Sequence, residues 1–419
     1  MNPAHIILLS PLIWLSGFTP VIYQLFTAWI GLRRSNLFTR LGGVEMTLLG
    51  YIGVYTFSLF LAVLQGAEIT RVLAGFYNLS FWMMGFFLIV GQRQSNSRAI
   101  GRSAFTLLCF ILLITWAFAF IPGVAPAYPT LISSLIDVGN LPNNIRDNTT
   151  LNISVQNWAD FGSGYRFSIL SPYPTAFAIL IFLLTCLSWP ERWSRLRSLR
   201  ILIIPALSFH VILNMTASRA VAGAFVVYIA LLLYAAIIAR IKGSNNRRTL
   251  TLLVTMFTVV LLMITLPVLN DVWERINESR AGSSALRFRI YEISLSSMIN
   301  EHPLLGFGVK ARDESIAAIP IGSHSTIIST LYKTGIIGFI FLLSFFVLVA
   351  RRAIAILLSG PATSHDRSMA AGILAFFIAL AFEDIDALPL ASFLYFTLMA
   401  LVLRRSEELE LEKQLTSFH

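Results

Sequence analysis

Residue types able to do chemistry concentrate between Arg287 and Gly338. The chain reads Arg-Phe-Arg-Ile-Tyr-Glu at 287–292, Glu-His-Pro-Leu-Leu-Gly-Phe-Gly at 301–308, Gly-Ser-His-Ser-Thr at 322–326 and Lys-Thr-Gly-Ile-Ile-Gly at 333–338. On a helix from Ser284 to Asn300, Arg287 and Tyr291 share one face, while Ile290, Ile293 and Ser297 share another. Such a helix can lie along a membrane surface with its guanidinium groups at headgroup level. Planar guanidinium forks grip phosphate oxygens in pairs, so Arg287 suits a phosphate; generic attraction to anionic lipid would use the same residue. His324 opens an apolar run, where Ser323 or Ser325 can cap the free N–H groups of a helix. The positive end of that helix disfavours imidazolium, which leaves a neutral ring able to accept a proton. The alternative is a polar residue that merely ends a span.

Two further arginines stand near membrane boundaries. Arg219 interrupts an apolar stretch between Met215 and Val221, where a charge is costly and usually functional; its other reading is a short outward turn over 216–219. Arg166 lies in Gly-Tyr-Arg-Phe, just before Ser-Pro-Tyr-Pro at 171–174. Asp384 and Asp386 form an Asp-x-Asp beside Glu383, a spacing that can hold a divalent cation but that is common by chance. Gly306 and Gly308 give a lone Gly-x-Gly, read as a turn, and His210 is read as an interhelical hydrogen bonder.

The elements that must carry these residues follow from composition. Of 419 residues, 56% are hydrophobic and 12% charged, with a mean hydropathy of +0.75. A soluble domain carries roughly 25% charged residues, so a soluble enzyme is excluded. Apolar runs of span length fall at 41–64, 69–90, 104–121, 171–189, 200–218, 219–240, 249–269, 325–350, 369–385 and 387–403. The N-terminal run from His5 to Leu32, broken by Pro11, Gly17 and Pro20, is one kinked span or two short insertions. The expected fold is an all-α polytopic membrane protein with 11 or 12 transmembrane helices. Cys109 and Cys186 both fall inside spans, so no disulfide framework is indicated.

Basic clusters at 33–40, 93–102, 192–200, 240–248, 351–367 and 404–413 occupy every second connection and take twenty of the thirty-one Lys and Arg. That alternation explains most of the +10 net charge as topology rather than nucleic-acid binding, and it places those connections on the cytoplasmic side. The remaining cations, among them Arg166, Arg219, Arg275, Arg280, Arg287, Arg289, Lys310 and Lys333, sit in or beside outward connections, two of which are long. The expected organisation is N-terminal helices over 1–121, a first outward loop over 122–170, central helices over 171–269, a large outward loop with its amphipathic helix over 270–323, C-terminal helices over 324–403 and a cytoplasmic tail over 404–419.

Ser218-Arg219-Ala220 between two spans, then Arg287 and Arg289 ahead of Glu301-x-Pro303-Leu-Leu-Gly306-x-Gly308, then His324-Ser325 and Gly335-x-x-Gly338, resemble the O-antigen ligase/polymerase superfamily over residues 166–345. The resemblance implies a GT-C-like membrane glycosyltransferase of the bacterial cytoplasmic membrane, metal-independent and inverting, with its active site facing the periplasm or exterior. Its donor would be a glycan on undecaprenyl diphosphate, and its acceptor a sugar hydroxyl of a second lipid-linked repeat unit, in a Wzy-type polymerase, or of lipid A-core, in an O-antigen ligase. By position Arg219, Arg287, Arg289 and Arg166 would hold the diphosphate and His324 would assist the acceptor. Tyr291, Glu292 and Glu301 are further candidates for base or acceptor binding. No cofactor and no nucleic acid are implied; membrane lipids and a chain-length regulator are the other partners the family suggests. A secondary transporter or lipid flippase would instead place charges near the membrane midplane and show related halves.

Overall fold

A computed structural model describes residues 2–33, 41–91, 96–121, 127–156, 165–191, 195–241, 281–312, 320–386 and 388–417. The expected span at 249–269 and the cations Arg275 and Arg280 lie outside the described residues. The chain is an all-α polytopic membrane protein. Its N-terminal run divides into two helices, α1 (Pro3–Ser16) and α2 (Thr19–Leu32). Gly17 separates them with φ +83°, a left-handed cap whose N–H donates to the Trp14 carbonyl. Next come α3 (Gly43–Leu64), α4 (Ile69–Gly91) and α5 (Ser97–Phe120).

The first long loop holds two small antiparallel sheets. Strand β1 (Ala127–Pro129) pairs with β2 (Thr150–Asn152), and β3 (Ser154–Gln156) pairs with β4 (Tyr165–Phe167). Short helices α6 (Leu131–Leu135) and α7 (Asn143–Arg146) lie between β1 and β2. Helices α8 (Pro174–Leu187) and α9 (Arg195–His210) follow, and α9 runs into a π-helical turn at Val211–Met215. The remainder is α10 (Arg219–Ile241), α11 (Ala281–Glu301), α12 (Thr326–Leu357), α13 (Ser364–Phe382) and α14 (Pro389–Ser417).

Among the described residues, six helices are long and apolar enough to cross a membrane: α3, α4, α5, α10 up to Ala239, α12 and α13. Helix α8 is apolar but has only 14 residues, about 21 Å at 1.5 Å per residue, short of the roughly 30 Å hydrocarbon core. It can be short because protein surrounds it: every residue from Ala176 to Leu187 is buried. The stretch of α14 from Pro389 to Leu403 is equally buried, and α8 and α14 pack together at the centre.

Hydrophobic sorting from water does not drive helices together inside lipid, so close fit must do so. Trp82 packs edge-on against Tyr51 at 4.8 Å and Phe396 at 5.7 Å, which joins α4 to α3 and α14. Glycines let rings sit on backbones: a Cβ at Gly85 would lie 2.5 Å from the Phe396 ring, and one at Gly50 2.5 Å from Phe341. The resulting bundle brings the outward connections to one end. At the other end Arg98 meets Glu191 at 2.8 Å, Arg405 meets Asp366 at 3.1 Å and Arg404 meets Glu408 at 2.8 Å.

Candidate functional site

The site is organised by an interruption in α12. Ser325 caps the helix, its Oγ accepting from the Ile328 N–H at 3.3 Å. Gly335 then breaks it, with φ 60° and ψ −164°. The loop after α11 fills the gap with main chain: Phe307 N–H donates to the Tyr332 carbonyl at 2.9 Å and Gly308 N–H to that of Lys333 at 2.8 Å, while Ile336 N–H donates to the Pro303 carbonyl at 2.9 Å. A Cβ at Gly335 would sit 2.3 Å from the Leu304 carbonyl carbon, and one at Gly306, also left-handed, 2.5 Å from the Tyr332 oxygen. The Gly-x-Gly therefore serves as a splint across a broken helix.

The link between α13 and α14 is strapped to the start of α12. The Glu383 carbonyl accepts from both the Thr326 N–H (3.1 Å) and its hydroxyl (2.9 Å). Three cations converge on the carboxylates of this link. Arg287 donates to the Phe382 carbonyl at 3.1 Å and to Glu383 Oε1 at 3.2 Å. Lys310 lies 2.5 Å from Asp384 Oδ2 and 3.4 Å from Asp386 Oδ2. Lys333 donates to Asp386 Oδ2, with both side chains 3% exposed or less, and its ammonium lies 4.9 Å above the Tyr55 ring. The Asp-x-Asp thus holds lysine ammonium groups, and among the described residues no group of three His, Cys, Asp or Glu is placed to hold a metal. Burial raises the Glu383 pKa against the pull of Arg287 and Arg166. Burial acts likewise on Asp386, but Lys333 and Lys310 outweigh it and hold that carboxyl below its ordinary range.

His324 sits at the junction of these parts in the left-handed region, φ +63°. Its carbonyl accepts from the Tyr291 hydroxyl at 2.8 Å, which fixes the strained residue from α11. Burial first, then Arg287 and Lys310, lowers its pKa to about 4. The neutral ring expected from a helix end is therefore produced mainly by enclosure and by two neighbouring cations. Burial also pushes the Tyr291 hydroxyl up to about 12, so it stays a donor.

Arg166 reaches in from β4. Its Nε donates to the Thr216 carbonyl at 2.7 Å, which ties the first loop to the turn that ends at Arg219. Ala217 in that turn has φ +52°, and Arg219 opens α10, partly buried. Arg287 is hydrogen-bonded to Glu383, and the charge of Arg166 also lowers the pKa of that carboxyl. Arg289 lies elsewhere. Two residues from Arg287, it is turned by about 200° and pairs with Glu292 at 3.1 Å on the exposed side of α11. Glu301 ends α11 and is exposed. The structure brings together Arg287, Arg166, His324 and Tyr291, with the Arg219 turn alongside, and leaves Arg289, Glu292 and Glu301 outside. It adds Glu383, Lys310, Lys333, Asp384 and Asp386. The lysines carried a usable signal, since the alternation of basic connections does not account for them.

Tyr173 borders the same region. It is the N-cap residue of the buried α8 yet is 39% exposed.

Compared with protein-family models, residues 201–343 match Wzy_C, described as O-antigen ligase. The match takes in the Arg219 turn, Arg287, His324, Lys333 and the break at Gly335. Among curated proteins none matches the chain. Over residues 201–343 this membrane protein is thus similar to the O-antigen ligase family.

Proposed function

We propose that the chain is a membrane glycosyltransferase of GT-C type that polymerises lipid-linked repeat units at the extracytoplasmic face of the bacterial cytoplasmic membrane. The observation that carries this reading is the placement of Arg287 on Glu383 and of Tyr291 on the carbonyl of a neutral His324, with Arg166 tied to the adjoining Arg219 turn, at the end of the bundle where the long loops meet. A polyprenyl diphosphate brings charge that guanidinium groups match, and this charge grows as the glycosyl bond breaks. Arg287 and Arg166, with Arg219 from the adjoining turn, would hold the diphosphate. The acceptor hydroxyl oxygen then bonds to the anomeric carbon, and the bond from that carbon to the diphosphate oxygen breaks with inversion. The electron pair leaves with the diphosphate and the hydroxyl proton passes to His324.

The low pKa of His324 fits this order of events. Arg287 and Lys310 oppose protonation of the ring. A bound diphosphate neutralises that field, so the imidazole becomes a stronger base once the donor is in place. The carboxylates best spaced for a divalent cation are engaged by Lys310 and Lys333, which supports charge stabilisation by this chain's own cations.

A surface-glycan gel from a deletion strain tests the assignment. Single-repeat caps are the result expected of a polymerase. Accumulated lipid-linked polymer would make the chain an O-antigen ligase, and an unchanged glycan profile would remove both readings.

A further inference from the structure

The chain from Arg287 to Lys310 grips the α13–α14 link with both of its ends. Helix α11 runs alongside the start of α12: the Gly322 N–H donates to Ser294 Oγ at 2.8 Å, and farther on the Ile336 and Ile337 N–H groups donate to the Pro303 and Leu304 carbonyls at 2.9 and 3.2 Å. The loop after α11 then turns back. Phe307 stacks on Tyr332 with ring centroids 4.7 Å apart, Ser58 Oγ on α3 donates to the Leu305 carbonyl at 2.6 Å, and a Cβ at Gly308 would lie 2.3 Å from the Ser58 carbonyl oxygen. Seated between α3 and α12 in this way, the returning segment carries Lys310 to the link, where its ammonium lies 2.5 Å from Asp384 Oδ2 and 3.4 Å from Asp386 Oδ2. Arg287, near the head of α11, donates to Glu383 Oε1 at 3.2 Å. The two cations therefore hold adjacent residues, and the ring Arg287–Glu383–Asp384–Lys310 closes through α11 and its loop.

The cations on the link are not equally enclosed. Lys333 already meets Asp386 inside the protein, while Lys310 and Asp384 keep 17% and 11% of their side-chain surface. Asp384 is itself set for its pair: its Oδ1 accepts from the Asp386 N–H at 3.1 Å, which leaves Oδ2 to the ammonium. Ile385 donates its N–H to Thr326 Oγ1 at 3.2 Å, so the main chain of the link is pinned to α12 without Lys310. Lys310 adds the tie from the link back to the loop of α11, and with it a fixed separation between Glu383 and the helix that carries Arg287. We propose that Lys310 is a positioning residue for glycosyl transfer: by bridging Asp384 and Asp386 it holds the link where Glu383 sets the Arg287 guanidinium. This inference rests on the glycosyltransferase reading above and adds to it a residue that acts through Arg287 rather than on the substrate. A misplacement of about 1 Å at a group aimed at the reacting centre costs on the order of 100-fold in rate, so such a tie bears directly on turnover.

The test measures transfer from a polyprenyl-diphosphate-linked repeat unit by the full chain in lipid nanodiscs, per mole of folded protein. Lys310→Met should lower kcat about 10- to 100-fold. Lys310→Arg, whose fork can span two carboxylates, should restore most of that loss. Because Lys310→Met leaves Asp384 without its ammonium, a second variant joins it to Asp384→Asn and removes both charges together. That pair should unfold thermally close to the unaltered protein and still show the lowered kcat. Coupling supplies the readout that a merely structural role would not move: in an Arg287→Ala background, Lys310→Met should cost about twofold at most, since the group it positions is already gone. The inference is overturned if Lys310→Met leaves kcat unchanged, if the paired variant regains full turnover, or if the loss in the Arg287→Ala background is as large as in the unaltered chain, which would have Lys310 act on the substrate itself. Absence of transfer by the unaltered protein sinks the glycosyltransferase reading and the role of Lys310 with it.

Discussion

Both ends of the helical bundle gather cations and carboxylates, yet they use them differently. At one end Arg98–Glu191, Arg404–Glu408 and Arg352–Glu410 are pairs whose side chains keep a quarter to two thirds of their surface in solvent. Water already satisfies both partners of these three pairs, so each contributes little beyond holding helix ends in register; Arg405 at the same end, by contrast, holds the buried Asp366. At the other end Lys333–Asp386 is closed off, Lys310–Asp384 is nearly so, and Glu383 is 9% exposed beneath Arg287. Charges removed from water in this way are expensive unless matched. The same residue types therefore fasten one end and build a field at the other.

The sharpest probe of that difference is Lys333→Met, which leaves Asp386 buried without its closest partner. It should cost about 3–5 kcal/mol, read as thermal unfolding in detergent, and Asp386→Leu in the same chain should restore most of the loss. No loss in the single variant would mean that the buried pair is not isolated from water, and the contrast between the two ends would vanish.

Arg287→Ala should leave the protein in the membrane and lower glycosyl transfer about 100- to 1,000-fold in reconstituted assays, the range for one donor to a developing anion. Arg287→Lys keeps the charge but loses the fork and should fall between. Turnover within experimental error of the unaltered protein would detach the guanidinium from the chemistry.

A third probe uses pH. The His324 pKa is lowered to about 4 in the fold, against about 6.5 unfolded. Between those values the unfolded chain binds the proton that the folded site refuses, so stability rises with pH across this window and levels off above it. The contribution is on the order of 1–2 kcal/mol after screening, and His324→Gln should flatten the curve. An identical slope in that variant would show that the ring is open to solvent.

The smallest effect belongs to the opposite end. Arg98→Ala should change stability by less than about 1 kcal/mol, with a difference that fades in high salt, and leave transfer unaltered. A loss comparable to that of Lys333→Met would mean that the Arg98–Glu191 pair is itself protected from water.

Much of the arrangement is legible in the sequence because membrane insertion leaves long, local signals. Span-length apolar runs and alternating basic connections can be counted, and the order Arg219, Arg287, His324, Gly335 belongs to the segment that matches the O-antigen ligase family. Folding decided two points. Of the two readings of the N-terminal run, the two-helix one is taken, with Gly17 in a left-handed turn between them, and Arg289 lies on the face of α11 opposite Arg287, paired with Glu292. The Gly-x-Gly read as a turn also acquired a second role, since its purpose depends on a helix break about thirty residues later.

Sequence alone determined that the chain is a helical membrane protein and set apart the cations that the alternating basic connections leave unexplained, since hydropathy and loop charge act over one helix at a time. Only the tertiary structure decided which cations meet. Lys333 and Asp386 lie 53 residues apart, Lys310 and Asp384 lie 74 apart, and Arg287 and Glu383 lie 96 apart. No periodicity reaches across such intervals. The pairs form because α12, the link after α13 and the loop after α11 are docked by main-chain hydrogen bonds, and burial then requires each charge to find its partner.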